Sequence, residues 1–255
     1  MSGLLSALLL RRAGWDVDIY ERVESELSGR GAGIVAQQEL IERLRKLELA
    51  TDALGVQIIT RKILDRQGRV TEEVHCPQVL TAWERVYRLL RDALPPERYH
   101  RGRGLVGFEA GADSVLARFS DGETIETDLL VGADGNRSTV RQQALPKAVP
   151  LYAGYAAWRA LIAEDAIPPD THRDLFEFMS FALPPGEQFL GYPVAGPEND
   201  LRAGHRRYNV VWYRPADEKT KLQWLLTDDQ GTTHAISIPP PLIRRDAIAE
   251  MRADA

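Results

Sequence analysis

The chain has 255 residues, with 32 basic and 37 acidic side chains and a formal net charge of −5. That mildly acidic balance excludes bulk nucleic-acid binding, which needs a basic surface; a single cysteine, Cys76, excludes an internal disulfide and suits a reducing cytoplasm. No apolar run approaches the ~18 residues of a membrane span, so no membrane partner is expected, and the length suffices for one large or two modest cores.

The opening stretch MSGLLSALLLRRAG turns charged at Arg11 and Arg12 and lacks a small-residue cleavage site, so it predicts a helix over 3–13, not a secretion signal. Nearly every position is apolar or small, the mark of a helix buried on all sides, and Gly14 ends it. WDVDIYE then alternates and predicts a strand from Trp15 that closes at Glu21. Ser28 to Ile34 gathers Gly29, Gly31 and Gly33 around Arg30 and Ala32. Such a loop lets backbone approach a flat or charged ligand, or merely connects two elements. A 3.6-residue period predicts a second helix over 37–49, residues 56–75 alternate about a turn at Gln67-Gly68, and TAWERVYRLLRDAL predicts a third helix stopped by Pro95-Pro96.

From Gly104 the pattern is β: LVGFEA, SVLARFS and, after the Asp121-Gly122 turn, ETIETDLLVG. Leu129 to Gly132 predicts a buried strand that delivers the chain into ADGNRSTVRQQ. Beyond residue 147 prolines and aromatics rise and RYNVVWYR predicts a strand, so a domain boundary is expected there, dividing 1–147 from 148–255 within an α/β fold. The aromatic residues of the second part read mainly as core. Tyr155, Trp158 and Tyr192 are candidates to wall a ring-shaped substrate, and GHRRY at 204–208 reads as a solvated loop.

A glycine opening a helix, with an acid after the next strand, is half of a dinucleotide fingerprint: phosphates sit on the helix N-terminus and the acid holds ribose hydroxyls. Gly3 and Glu21 match it, and they equally match a buried helix followed by a surface glutamate. Asp134, in an Asp-Gly turn before a short helix, accepts hydrogen bonds from sugar-alcohol hydroxyls or caps its own turn. There is no Gly-x-Ser-x-Gly elbow and the five histidines are scattered, so neither a serine nucleophile nor a metal site is expected.

Together, the Met1–Leu4 helix start, AGWDVDIYER, SGRGAGIV, TAWERVYRLLRDAL and VGADGNRSTVR resemble the FAD-dependent aromatic hydroxylases, single-component flavin monooxygenases similar to p-hydroxybenzoate hydroxylase. LYAGYAAWRALI and ISIPPPLIRRDAIAEMRADA are most similar to the 2,6-dihydroxypyridine 3-monooxygenase branch. The resemblance implies a Rossmann-like FAD-binding domain over 1–147 and a mixed or antiparallel β substrate domain over 148–255. It implies that Ser2 and Gly3 end the phosphate-binding turn and that Glu21, with Arg22 beside it, holds the ribose. Arg30, Gly31, Ala32 and Gly33 pass the flavin, Val106 touches adenine through its backbone, and Asp134 and Gly135 form the motif tied to FAD and NAD(P)H.

The implied reaction has NAD(P)H reducing FAD and O2 adding to give a flavin C4a-hydroperoxide, which hydroxylates an electron-rich phenol-like or hydroxypyridine-like ring. No side chain is singled out as a general base. By analogy with relatives a homodimer is expected, and the single cysteine carries the cytoplasmic expectation. The family's first strand and first glycines are not in the sequence, nor is its later Gly-Asp segment, and Trp83 stands where many relatives carry arginine. The expectation is therefore a chain truncated at both ends, with weak or no FAD retention and little hydroxylase activity. The alternatives are a non-catalytic fragment of such an enzyme, or a flavoenzyme of another reaction type on the same scaffold.

Overall fold

The structure is a computed structural model that describes residues 1–27 and 33–254. The opening apolar run forms α1 (Ser2–Arg12), which buries Leu4, Ala7 and Leu8, and Gly14 follows it with φ +92°. The strand after it, β1 (Ile19–Glu21), is shorter than WDVDIYE suggests. Its parallel partner β5 (Tyr99–Arg101) has only three residues, and a ladder ends where its partner ends. Asp16 and Asp18 turn instead to Arg98, at 2.7 and 2.8 Å.

Next come β2 (Gly33–Ala36), α2 (Gln38–Lys46), the long hairpin β3 (Val56–Leu64) and β4 (Val70–Ala82), and α3 (Trp83–Asp92). The described side chains of α1, α2 and α3 bury Leu8, Leu44, Val86, Tyr87 and Leu90 in one core with Leu94 and Tyr99. At roughly 25 cal/mol per Å² of apolar surface, this burial is what joins the helices to the parallel pair. A three-stranded antiparallel sheet, β6 (Leu105–Ala110), β7 (Val115–Phe119) and β8 (Thr124–Thr127), follows as the Asp-Gly turn predicts, with Gly122 at φ +88°.

The predicted strand at Leu129–Gly132 is not formed. Leu129 and Val131 are half exposed and no described strand pairs with the segment. An apolar run becomes a strand only where another strand takes up its backbone groups. The chain passes instead without regular structure, through a turn at 136–137, into α4 (Thr139–Ala144).

After residue 147 come β9 (Tyr155–Ala163), α5 (Pro169–Leu175), β10 (Met179–Ala182), β11 (Gln188–Val194), β12 (Arg207–Pro215), α6 (Lys221–Leu225) and α7 (Arg245–Asp254). The large sheet has seven strands in the order β2-β4-β3-β10-β11-β12-β9. Every pairing is antiparallel except β3 with β10. The sheet therefore takes strands from both sides of residue 147. The α/β class with a second, mixed sheet is as expected from the sequence.

The register of the large sheet assigns its faces, because side chains alternate along each strand. Tyr192, Asn209, Val211, Tyr213 and Arg159 share one face, where Ile58, Leu80, Met179, Leu190 and Val194 form a second core. Trp158, Tyr208 and Trp212 share the other.

Candidate functional site

The helix start and the residue that leads into the Asp-Gly turn, far apart in sequence, meet in space: a Cβ added to Gly3 would lie 3.2 Å from the Cβ of Ala133. Glycine at this position lets the two backbones approach. No side chain caps the N-terminus of α1, and no acid stands in its first turn. Its first N–H groups and the positive end of its dipole are free to face an anion.

Glu21 closes β1 in the parallel pair, and its carboxylate accepts the Val23 N–H at 2.9 Å. It lies close enough to the α1 start to act electrostatically on the Met1 amino group, which burial otherwise pushes toward its neutral form. Arg22 is exposed and makes no ion pair among the described residues; its Cβ packs beside Gly104.

Asp134 has two differently employed oxygens. Oδ2 accepts the N–H groups of Thr139 at 2.6 Å and Val140 at 3.2 Å, fastening the first turn of α4. Oδ1 is buried without a partner. Burial alone would raise this carboxyl, but the hydrogen bonds of Ser138, Val140 and Thr139 hold it below the ordinary carboxylate range. Gly135, with φ +77°, turns the chain where a larger residue would be strained. Val106 lies on β6, half exposed, beside α4: Thr139 Oγ1 donates to Leu105 O and Phe108 N–H donates to Gln143. Gly3, Ala133, Asp134 and Glu21 thus collect at one end of the α1 unit. Arg30, Gly31 and Ala32 lie outside the described residues.

Gly33 leads from that loop onto the large sheet. Its N–H donates to Asn209 Oδ1 at 3.2 Å, and an added Cβ would lie 2.6 Å from the Tyr192 ring. Tyr192 is 4% exposed, and burial pushes its hydroxyl up to about 12, so it stays protonated. Tyr155, on the edge strand β9, packs edge-on against Tyr213 at 5.3 Å between centroids. The expected aromatic trio does not assemble: Tyr155 and Tyr192 share a face, whereas Trp158 projects from the opposite one, level with Trp212. Tyr155 and Trp158 stand three residues apart on β9, so alternation along that one strand already separates them; only the placing of Tyr192 with Tyr155 needs the register between strands.

Sequence reasoning missed two groups. Arg206, in the stretch read as a solvated loop, is 8% exposed and grips Glu164 at 2.8 and 3.0 Å and Glu177 at 2.5 Å. Burial would raise the Glu164 carboxyl, but Arg206 and His172 bring it down to about 2. Glu26 receives the Tyr87 hydroxyl at 2.6 Å and an ion pair from Arg101. Both groups join residues far apart in sequence, so no local signal marks them. Among the described residues no cluster of His, Cys, Asp and Glu could hold a metal, and no helix is long and apolar enough to cross a membrane.

Residues 152–255 match the model of the FAD binding domain-like family. The chain is 34% identical over 251 residues to a 2,6-dihydroxypyridine 3-monooxygenase of Paenarthrobacter nicotinovorans, covering 96% of this chain and 62% of that protein. It is 31% identical to a 6-hydroxynicotinate 3-monooxygenase of Pseudomonas fluorescens over 63% of this chain and 45% of the relative. The solved structure of 2,6-dihydroxypyridine-3-hydroxylase from Arthrobacter nicotinovorans superposes with a TM-score of 0.90 at 33% identity, over 99% of this chain and 64% of that one. The chain therefore spans less than two thirds of the length of these relatives. The likeness read from its motifs holds in sequence and in fold.

Proposed function

We propose that this chain, similar along almost its whole length to FAD-dependent aromatic hydroxylases, is the larger part of a monooxygenase acting on an electron-rich aromatic or hydroxypyridine-type ring with NAD(P)H and O2. The observation that carries the reading is the meeting of the open α1 N-terminus with the 133–135 turn, where Asp134 Oδ1 is buried and unpartnered. A buried, unsatisfied carboxylate oxygen is costly unless a ligand uses it, and a sugar-alcohol hydroxyl is a suitable donor. These residues fit FAD: the α1 N–H groups would face its pyrophosphate, Ser2 and Gly3 would give it room, and Glu21 would accept the ribose hydroxyls. Arg22 and the Val106 backbone belong to the same adenosine side in this reading.

Bound there, the flavin would supply electron transfer from NAD(P)H and activation of dioxygen. The protein's own part is positioning. The face bearing Tyr192, Val211 and Tyr213 offers an apolar wall that keeps water from the ring and holds it flat. In this reading residues 1–147 hold the cofactor and 148–255 hold the ring, with β2, β3 and β4 lent to the ring-binding sheet. A homodimer accompanies the reading by analogy, and a cytoplasmic location by the single cysteine.

Titration of the purified chain with FAD, followed by quenching of flavin fluorescence, tests it. Saturable quenching is expected, weaker by about 10-fold or more in Glu21→Ala and Asp134→Ala, the loss of one hydrogen bond to a charged acceptor. Unchanged affinity in both variants would remove the cofactor assignment.

A further inference from the structure

Asn209 is an anomaly of the large sheet. It sits in the interior of β12, where asparagine is disfavoured, and it is fully buried on the apolar face. Its Oδ1 is used, accepting the Gly33 N–H at 3.2 Å. That bond also fixes the amide's orientation, since Gly33 can only donate. Its Nδ2 has no hydrogen-bond partner. Leaving such a donor unmade inside a core is unfavourable, and a leucine or valine here would avoid that penalty.

Beside it on the same face are Tyr192, paired with Asn209 across the β11–β12 ladder, and Tyr213. Arg159, on the neighbouring β9, is close enough to act on the Tyr192 hydroxyl and has no carboxylate partner among the described residues. On this one face an unpaired buried donor stands with an unpaired cation and two aromatic rings, so donors and positive charge are gathered beside the rings.

We propose that Asn209 Nδ2, supported by Arg159, reads an oxygen substituent, oxo or ionised hydroxyl, on a planar heteroaromatic ring lying against the Tyr192–Tyr213 face. Asn209 is then a specificity residue with two tasks: one amide atom holds the end of the glycine loop and the other selects the ligand. This inference rests on the ring-hydroxylase reading and narrows it, because rings bearing amino donors at the same positions are rejected. A buried donor left unpaired by the wrong ligand discriminates more strongly than apolar fit does.

The test compares two rings of one shape, 2,6-dihydroxypyridine and 2,6-diaminopyridine, by calorimetric titration of the full chain in excess FAD. The wild-type chain is expected to favour the dihydroxy ring by 10-fold or more. Asn209→Asp keeps the acceptor for Gly33 and replaces the donor by a second acceptor, so the preference should fall by at least 10-fold and move toward the diamino ring. Arg159→Gln, at an exposed position, decides the matter if Asn209→Asp fails to fold; it should weaken the dihydroxy ring several-fold and leave the diamino ring unchanged. A wild-type chain that binds both rings equally or neither overturns the proposal, as do natively folded variants, judged by near-ultraviolet circular dichroism, that keep the wild-type preference. Flavin quenching on the same samples separates the two claims. Flavin bound without ring preference sinks this inference alone, whereas flavin binding indifferent to Glu21→Ala and Asp134→Ala sinks the reading beneath it.

Discussion

Gly3 and Glu164 represent two kinds of residue, one legible in the sequence and one hidden. Gly3 stands out because glycine is an unusual opening for an apolar helix, and the structure shows what a side chain there would meet: an added Cβ would lie 3.2 Å from the Cβ of Ala133. Gly3→Val should push the 133–135 turn away from the α1 start. The expected outcome is a loss of about 1–3 kcal/mol in urea unfolding, the usual range for overpacking, with weaker flavin quenching. Glu164 is hidden because its partner Arg206 lies 42 residues on, in a stretch that looks like polar loop. Its carboxyl titrates at about 2 in the fold against an ordinary 4.5. A depressed folded-state value gives stability that is present above 4.5 and is lost as the pH falls through about 2. The contribution is on the order of 3 kcal/mol. Urea midpoints measured from pH 7 down to pH 2.5 should therefore hold to about 5 and then decline. In Glu164→Gln the midpoint should start lower at neutral pH, because Arg206 loses its buried counter-charge, and decline less steeply. Equal slopes in the two proteins would count against the network.

Among the elements, helices were the more legible, since a 3.6-residue period and its stop signals are local. α1, α2 and α3 appear within a few residues of their expected bounds. Strands depend on partners, and the errors follow from that: β1 is cut to the length of β5, and Leu129–Gly132 pairs with nothing described. The short helix α4 shows how an element end doubles as a candidate site. Ser138 caps it by accepting the Arg141 N–H at 2.9 Å, and Asp134 Oδ2 takes two further N–H groups. Asp134→Asn retains an oxygen for these groups but loses the charge, whereas Asp134→Ala frees both donors. Asp134→Ala should cost about 1–2 kcal/mol of stability, with faster amide exchange at residues 139–141; Asp134→Asn should cost less than half of that. Both should weaken flavin binding if Oδ1 serves the ligand. Flavin affinity that follows helix stability alone would reduce Asp134 to a cap.

At the scale of the whole molecule, the sequence reading divides the chain where its texture changes, near residue 147, and the large sheet joins strands from both sides of that point. Composition marks where a linker runs, but it cannot show that β10 pairs in parallel with β3, more than a hundred residues earlier. Pattern assigns a strand its faces and leaves its neighbours open. The join has an energetic consequence. Ile58 and Leu80 from the first part and Met179, Leu190, Tyr192, Val194 and Val211 from the second bury one another in a single core. Cutting the chain at 147 divides that core and strips β10 of its β3 neighbour, leaving an unpaired strand edge. Residues 148–255 produced alone should therefore fail to give dispersed amide resonances and should aggregate. Co-production with residues 1–147 should restore a soluble pair whose near-ultraviolet circular dichroism matches the uncut chain. The uncut chain should unfold in one transition, the same by tryptophan fluorescence, which reports Trp83 on α3 together with Trp158 and Trp212 in the large sheet, and by far-ultraviolet circular dichroism. A fragment 148–255 that folds alone, or two separated transitions in the uncut protein, would mean that the second part is complete without β2, β3 and β4, and that the two parts are independent bodies.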